Sequence, residues 1–246
     1  MSGHSKWKNI MHKKEKTDAQ RAKVFTKIGK EMAIAVKEGG ANPASNSRLK
    51  DLIAKAKGQN VPNDNIERII KKASSDDSDK YENITYEGYG PSGVAVIVEC
   101  ATDNRNRTGG DLRHYFDKFG GNLGATGCVT YMFDQKGVII LEAAGIDEDK
   151  FMEDVITAGA ADFVREEDGE DEIFQIFTDT SRLSEVSGKL EEMGYSFLSA
   201  EPEMIPSTYV RLDDDESVAK MNKILENLED HDDVINVWHN WENDGE

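Results

Sequence analysis

The first third of the chain places apolar residues at the three- and four-residue spacing of amphipathic helices. This pattern predicts helices over residues 17–39, 46–58 and 62–73. A capping-box spacing opens the first helix and a glycine pair closes it. Helices of this length are marginal alone, so we expect all three to pack together as a small bundle. The apolar positions are Val24, Phe25, Ile28, Met32, Ala35, Val36, Leu49, Leu52, Ile53, Ala56, Ile66, Ile69, Ile70 and Ala73.

Beyond residue 73 the pattern changes. The segment Ser74–Lys80 is polar and acidic and has no period, which is typical of a linker. Short apolar runs after it predict strands, separated by helical periods. The predicted strands are 93–100, 128–133, 138–142, 162–165, 173–178, 195–198, 208–212 and 234–239, and the predicted helices are 107–119, 147–158, 181–193 and 216–228.

The order of these elements predicts the fold. Residues 138–198 follow β-α-β-β-α-β, which is a complete ferredoxin-like unit. The β-α-β halves on either side of it would complete each other into a second unit. We therefore predict an α+β protein with an N-terminal three-helix bundle followed by two ferredoxin-like α+β domains, one inserted in the other. Two contiguous domains side by side are the alternative. The predicted domains are a basic helical domain (1–73), an acidic linker (74–80), a discontinuous α+β domain (81–133 plus 205–242) and an inserted ferredoxin-like domain (134–204).

The charge of the chain is unevenly distributed. Its net charge is −18 over 246 residues, but residues 1–73 hold 17 Lys or Arg against 7 Asp or Glu, a net of +10. Residues 74–246 hold 13 against 41, a net of −28. The sequence therefore joins a basic segment to a strongly acidic one, and this asymmetry is its first functional clue.

Several classes of protein are excluded by composition. The longest uninterrupted apolar stretch, Val94–Val98, is far shorter than the roughly 18 residues of a membrane helix. The basic N-terminus is not followed by the apolar segment of a secretory signal. Two cysteines do not form a disulfide framework. We expect a soluble cytoplasmic protein that does not bind membranes, and a monomer, with a dimer as the alternative.

Motifs that resemble enzyme sites have simpler explanations. Gly88–Gly93 fits G-x-G-x-x-G, but a strand follows it where a dinucleotide site needs a helix, so we predict a tight turn. Cys100 and Cys128 lie in apolar strand patterns, which favours core cysteines over nucleophiles, and His114 is predicted at the surface. The consecutive carboxylates Asp213–Glu216 favour a helix start over a metal site. We expect no catalytic residues, cofactor or metal.

The N-terminal segment combines lysines, histidines and one tryptophan just before a helix with a lysine stripe. Lysines bind phosphates with release of counterions, and an indole ring stacks on bases. The alternative is a solvated basic arm whose tryptophan packs on the bundle. The clustering of basic residues favours nucleic-acid contact. The predicted contacts are Lys6, Trp7, Lys8, His12, Lys13, Lys14, Lys16, Arg21, Lys23, Lys27 and Lys30.

A second basic patch lies at a predicted strand end. Arg105 and Arg107 occupy a polar loop that leads into a helix bearing Arg113. Two arginines in an otherwise acidic region fit bidentate binding of phosphate. They fit pairing with neighbouring carboxylates equally well. We include all three arginines among the predicted nucleic-acid contacts.

Four long blocks resemble one known family. These are GHSKWKNIMHKKEKTDAQRAKVFTK near the start, NVPNDNIERIIKKA (Asn60–Ala73), YEGYGPSGVAVIVECATDNRNRT (Tyr86–Thr108) and GGNLGATGCVTYMF (Gly120–Phe133). They resemble signatures of the YebC/PmpR family of probable transcriptional regulatory proteins. The resemblance implies a helical domain plus two α+β domains, with no established enzymatic activity. One departure is the pair Gly109-Gly110, predicted in the first turn of a helix, where each glycine costs about 1 kcal/mol relative to alanine.

The resemblance and the charge pattern leave three functional hypotheses. The family description implies DNA binding and transcriptional regulation, although no helix-turn-helix signature is present. Mitochondrial and some bacterial relatives are described as translational activators, which implies ribosomal RNA or the ribosome as the partner. Acidic domains joined to a basic domain suit docking in one orientation on such a large RNA assembly. A protein-protein adaptor that uses the acidic domains is the third hypothesis. We adopt DNA binding through the basic helical domain as the prediction.

Overall fold

The computed structural model describes residues 18–75, 80–168 and 171–242. Its helices are α1 (Asp18–Gly39), α2 (Ser47–Gly58), α3 (Asn63–Ala73), α4 (Arg105–Lys118), α5 (Glu148–Ala158), α6 (Leu183–Glu192) and α7 (Asp215–Asp230). Its strands are β1 (Glu82–Tyr89), β2 (Ala95–Thr102), β3 (Asn122–Leu123), β4 (Phe133–Glu142), β5 (Asp162–Asp168), β6 (Asp171–Thr178), β7 (Ser199–Pro206) and β8 (Val234–His239).

Helices α1, α2 and α3 form the predicted bundle. Their shared core contains Ile28, Met32, Leu49 and Ile66, all nearly or fully buried. Asn46 connects two of the helices: its side-chain oxygen accepts the Leu49 amide at the start of α2, while its amide donates to carbonyl oxygens at the end of α1. This N-cap satisfies backbone groups of both helices, so it fixes the turn between them.

The first sheet has the strand order β3-β1-β2-β8, with every pair antiparallel. Strand β8 comes from the chain after the inserted domain, so the sheet combines segments from both sides of the insertion. Helices α4 and α7 pack against it. Their buried faces include Leu112, Phe116, Met221 and Ile224. Strand β2 lies between β1 and β8 and is buried almost throughout.

The second sheet has the antiparallel order β5-β6-β4-β7. In chain order within the domain this is the 2-3-1-4 arrangement of a ferredoxin-like unit. Its core centres on Phe151 from α5, which stacks on Phe174 from β6 at 4.2 Å between ring centroids. The predicted fold class is confirmed: a three-helix bundle is followed by two α+β domains, one inserted in the other.

Three predicted strands were wrong. Residues 128–133 form a loop and a short 3-10 turn before β4 begins at Phe133. The carboxylate of Glu87 accepts the amides of Gly127, Val129 and Thr130, so these groups are not available to a sheet. Residues 208–212 contribute only an isolated bridge between Val210 and Trp241. The first sheet contains β1 instead, which the sequence pattern did not predict.

The third wrong strand is 195–198, because the observed strand is β7, eight residues that begin at Ser199. It contains Pro202 and Pro206, which cannot donate a backbone hydrogen bond. They are tolerated because β7 is an edge strand that pairs only with β4. A polar strand that contains prolines lacks the apolar alternation on which the prediction of strands depends.

The described residues divide into two compact units. One contains residues 18–75, 80–130 and 212–239, and the other contains 131–168, 171–211 and 240–242. The helical bundle and the first sheet therefore belong to the same unit. The residues predicted to contact nucleic acid and described by the structure all lie in this unit.

Candidate nucleic-acid interface

The lysine stripe of α1 lies against the C-terminal end of α7. Lys23 forms an ion pair with Asp230, and the Lys27 ammonium donates to the Glu229 carbonyl oxygen at 2.6 Å. The last carbonyl groups of a helix lack intrahelical partners and carry the negative end of its dipole, so they attract cations. Burial lowers the pKa of Lys27, and the nearby acidic groups only partly oppose this shift. The stripe therefore connects the helical bundle to the first sheet domain.

Lys30 lies deepest in this contact. Its ammonium donates to the carboxylate of Asp233 at 2.5 Å and to the Asp232 carbonyl oxygen at 3.0 Å. The Lys30 side chain is only 10% exposed and that of Asp233 only 4%. This ion pair is shielded from solvent, so it depends on good geometry and further hydrogen bonds for its stability.

Asp233 receives those further hydrogen bonds from α4 and β2. The Arg107 guanidinium donates at 2.8 Å, and the hydroxyl groups of Thr108 and Thr102 lie at 2.7 and 3.1 Å. Burial alone would raise the pKa of Asp233, but the hydrogen bonds from Lys30, Arg107 and Thr108 hold it well below its usual range. Two predicted nucleic-acid contacts, Lys30 and Arg107, thus meet at one buried carboxylate.

Arg105 and Arg107 are paired with carboxylates of their own chain. Arg105 donates twice to Glu82, at 3.1 Å each, and Arg107 also donates to Asp103 at 2.8 Å. The side chain of Asn104 caps α4 by accepting the Arg107 amide. Of the two arrangements that the sequence allowed for these arginines, the structure contains the carboxylate pairs.

The glycine pair in α4 lies in the second turn of the helix, not in the first as the sequence predicted, because α4 begins at Arg105. A side chain at Gly109 would meet the ring of Tyr86 at 3.3 Å. The Tyr86 hydroxyl donates to the Arg105 carbonyl oxygen at 2.8 Å. The glycine therefore lets β1 approach the start of α4, and the contact holds the Arg105 loop in place.

The other predicted contacts lie at the surface or outside the described residues. Arg21 on α1 and Arg113 on α4 are exposed. Arg113 has no ion-pair partner within the part of the chain that the structure describes. The remaining predicted contacts, Lys6, Trp7, Lys8, His12, Lys13, Lys14 and Lys16, lie outside the described residues.

Helices α2 and α3 carry further cations that are not among the predicted contacts. Lys50, Lys57, Arg68 and Lys71 are exposed, and none forms an ion pair with another described residue. Lys50 and Lys57 are two turns apart on α2 and therefore lie on the same side of the helix. The same helical period that identified the apolar face would have identified these positions.

A groove separates α1 from α3 and has a volume of about 300 Å³. Phe25, Ala33 and Ile69 supply apolar walls. Asn65 and Arg68 line the α3 side, where the Arg68 guanidinium donates to the Asn65 side-chain oxygen at 3.0 Å. Lys30, Lys72, Tyr81, Thr26, Gly29 and Ala73 complete the lining. The sequence pattern does not predict this groove, because the groove depends on how two helices pack.

The motifs that resembled enzyme sites take structural roles. Pro91–Gly93 form a tight 3-10 turn between β1 and β2, with Ser92 and Gly93 at positive φ, so the predicted turn is confirmed. Cys100 is buried as expected, and burial raises the pKa of its thiol to about 12. Cys128 is half-buried in a loop, not in a core strand, and His114 is exposed.

The described ranges contain neither a metal-ligand cluster nor a membrane-spanning helix. No group of three or more His, Cys, Asp or Glu side chains among residues 18–75, 80–168 and 171–242 is placed to hold a metal ion. Within the same ranges, no helix has the length and apolarity needed to span a membrane.

A basic helical bundle joined to a split α+β domain with a second α+β domain inserted defines a three-part architecture. Comparison with known proteins agrees with it. The TACO1/YebC protein N-terminal domain matches residues 5–76, and the TACO1/YebC second and third domain matches residues 81–241. The chain belongs to the TACO1/YebC family.

Individual relatives are similar over nearly their whole length. A probable transcriptional regulatory protein of Acetivibrio thermocellus is 57% identical over 98% of this chain and 99% of its own. One of Finegoldia magna is 53% identical over 99% of this chain and all of its own. The crystal structure of a conserved hypothetical protein from Aquifex aeolicus is 43% identical, covers 93% of each chain and superposes with a TM-score of 0.83.

Proposed function

We propose that this chain is a transcriptional regulatory protein that binds DNA through its basic N-terminal helical domain. The observation that supports it is the set of exposed cations on α2 and α3, namely Lys50, Lys57, Arg68 and Lys71. They are not used in ion pairs with described residues, unlike Lys23 and Lys30 of α1. The relatives named probable transcriptional regulatory proteins support the same role.

Such binding depends mainly on phosphate contacts. Each phosphate neutralised contributes about −0.9 to the slope of log K against log salt on duplex DNA. If about five phosphates are contacted, the slope is roughly −4.5. The acidic remainder of the chain, with a net charge of −28, repels DNA and so restricts contact to the basic domain.

The direct test is the salt dependence of duplex binding by the full chain, measured by fluorescence anisotropy. The double variant Lys57→Glu/Lys71→Glu should weaken binding at least tenfold and make the slope shallower by about 0.9 for each phosphate that the variant no longer neutralises. The matched control is Lys220→Glu/Lys223→Glu, which makes the same charge change on α7, where both side chains are more than 40% exposed. Equal binding by both variants would contradict the proposal.

The acidity of residues 74–246 favours a second candidate, a ribosome-associated factor whose basic domain binds ribosomal RNA. A body of this charge avoids RNA and faces basic ribosomal proteins, which fixes one docking orientation. Co-sedimentation with ribosomes near physiological salt, in excess competitor duplex, separates the two candidates. Stoichiometric pelleting that duplex DNA does not displace would favour the ribosome. Pelleting that the DNA abolishes would favour DNA binding.

A third candidate is an adaptor that binds protein through its acidic domains. Such an adaptor should keep its partner when the charges of the α2 and α3 cations are reversed. In each of these functions the chain acts by binding, without covalent chemistry. We propose the cytoplasm as its site of action, because its nucleic-acid targets would lie there.

A further inference from the structure

We propose that the groove between α1 and α3 binds one unpaired nucleotide of a single-stranded nucleic acid. The base would lie against the apolar and aromatic walls, and its phosphate would lie at the rim near Arg68. This inference rests on the proposed function, since it assumes that the helical domain binds nucleic acid. It adds a site for a base, whereas the exposed cations contact only phosphates.

The walls of the groove have the chemistry that a base requires. Phe25, Ala33 and Ile69 form an apolar surface, and Tyr81 adds a half-buried aromatic ring whose centroid lies 5.5 Å from the Lys30 ammonium. Aromatic and apolar side chains hold unstacked bases with little regard to sequence, because every base has a π face. The side chain of Asn65 lies in the same groove and offers an amide to a base edge.

The charge of the groove fits an anionic group such as a phosphate. Lys30, Arg68 and Lys72 line it, and no Asp or Glu is among the described residues of its lining. Lys30 pairs with Asp233, whereas Arg68 forms no ion pair with another described residue and is exposed, so we assign the phosphate contact to Arg68. Arg68 is exposed and holds Asn65 by a hydrogen bond, so its guanidinium is positioned beside the amide that faces the base.

The size of the groove selects a single nucleotide. Ligand pockets commonly have volumes of about 300–1,000 Å³, and this groove, at about 300 Å³, lies at the lower limit. A base that is paired and stacked in a duplex presents only its edge and cannot enter such a groove. An unpaired base exposes both faces, which is why recognition of single strands relies on stacking.

The groove also explains a glycine in the middle of α1. Gly29 lines the groove, and a side chain there would lie 3.4 Å from the Cδ1 atom of Ile69, at ordinary contact distance. Alanine would therefore fit, and it would favour the helix by about 1 kcal/mol. Keeping glycine leaves space between α1 and α3 that a methyl group would reduce.

The test fills the groove without changing its charge. In Ala33→Leu a larger apolar side chain replaces a half-buried residue of the wall. Binding of the full chain to a ten-nucleotide single strand, with one central 2-aminopurine, is followed by fluorescence, in parallel with anisotropy on a duplex. We expect at least a tenfold loss of single-strand affinity. The change in 2-aminopurine fluorescence on binding should disappear, and duplex affinity should change less than twofold.

A second variant guards against a folding defect in the first. Tyr81→Leu keeps an apolar side chain but removes the ring, so it should reduce the 2-aminopurine signal while duplex binding persists. Thermal unfolding confirms that each variant is folded. RNA and DNA single strands are compared, and the tighter of the two identifies the natural strand. Unchanged single-strand binding in both folded variants would overturn the groove site while leaving the proposed function intact. Failure of the wild-type chain to bind any strand or duplex would instead refute the proposed function.

Discussion

The helical domain contains two sets of cations that the sequence does not distinguish. Lys23 and Lys30 on α1 and Lys57 and Lys71 on α2 and α3 are the same residue type on amphipathic helices. The α1 lysines contact the end of α7 and the buried Asp233. Those of α2 and α3 face solvent. One set therefore contributes to the fold and the other is available to a ligand, so a count of basic residues overstates the size of a binding surface.

The largest expected effect is at the buried carboxylate of Asp233, which Lys30 contacts. Asp233→Ala removes the carboxylate that accepts hydrogen bonds from Lys30, Arg107 and Thr108, and it leaves the buried Lys30 ammonium without its ion-pair partner. Breaking a buried ion pair from one side costs about 3–5 kcal/mol, so the free energy of unfolding should fall by that amount in a urea titration. Asp232→Ala is the control, because its side chain is exposed, and it should change stability by less than about 0.5 kcal/mol. A decrease of less than about 1 kcal/mol for Asp233→Ala would show that this network does not hold the helical bundle to the first sheet domain.

Acid should weaken the same network. The pKa of Asp233 is lower in the folded chain than in the unfolded chain, so its contribution is fully present above the unfolded value of about 3.9. The contribution is lost as the pH falls below that value and through the folded pKa. Asp233→Asn should therefore make the free energy of unfolding less dependent on pH between about pH 5 and pH 2. The pKa of Glu87 is also lowered, so a residual acid dependence should remain in the variant. An unchanged pH profile would contradict the role of Asp233.

The helices and the face of α1 that carries its lysines depend on local pattern, so the sequence predicted them. Helical spacing identified the three helices of the bundle and placed Lys23, Lys27 and Lys30 on one face of α1. It did not reveal their partner, because the end of α7 lies about 200 residues further along the chain. The same limit applies to Arg107, which contacts Asp233 across 126 residues.

The strands illustrate a second limit. Strand β1 has few buried side chains, and β7 contains two prolines, so neither shows the apolar alternation of a typical strand. Each is specified instead by its neighbours: β1 pairs with β2 and β3, and β7 forms an edge beside β4. The order of the stronger elements was enough for the fold class. The segment 128–133 has the apolar residues of a strand but forms a loop, because the Glu87 carboxylate accepts its backbone amides.

A paired substitution on the two sets of cations should separate binding from stability. Lys57→Met removes an exposed charge, and we expect the slope of log K against log salt on duplex DNA to become shallower by about 0.9, with little change in stability. Lys30→Met removes a buried charge, so it should lower the free energy of unfolding by about 3 kcal/mol while the salt slope of the folded protein stays the same. Anisotropy and urea titration of both variants provide the measurements. The reverse assignment would place the nucleic-acid interface on α1.

The smallest expected effect lies at the exposed end of the α1 stripe. Lys23 and Asp230 form an ion pair whose side chains are 40% and 74% exposed, so solvent screens it. Surface pairs of this kind contribute at most about 1 kcal/mol, and Lys23→Met should lower the free energy of unfolding by no more than that. The difference from wild type should shrink further in about 0.5 M salt, because screening weakens the pair. A decrease as large as that of Lys30→Met would mean that the whole stripe, not only its buried end, holds the bundle to the first sheet domain.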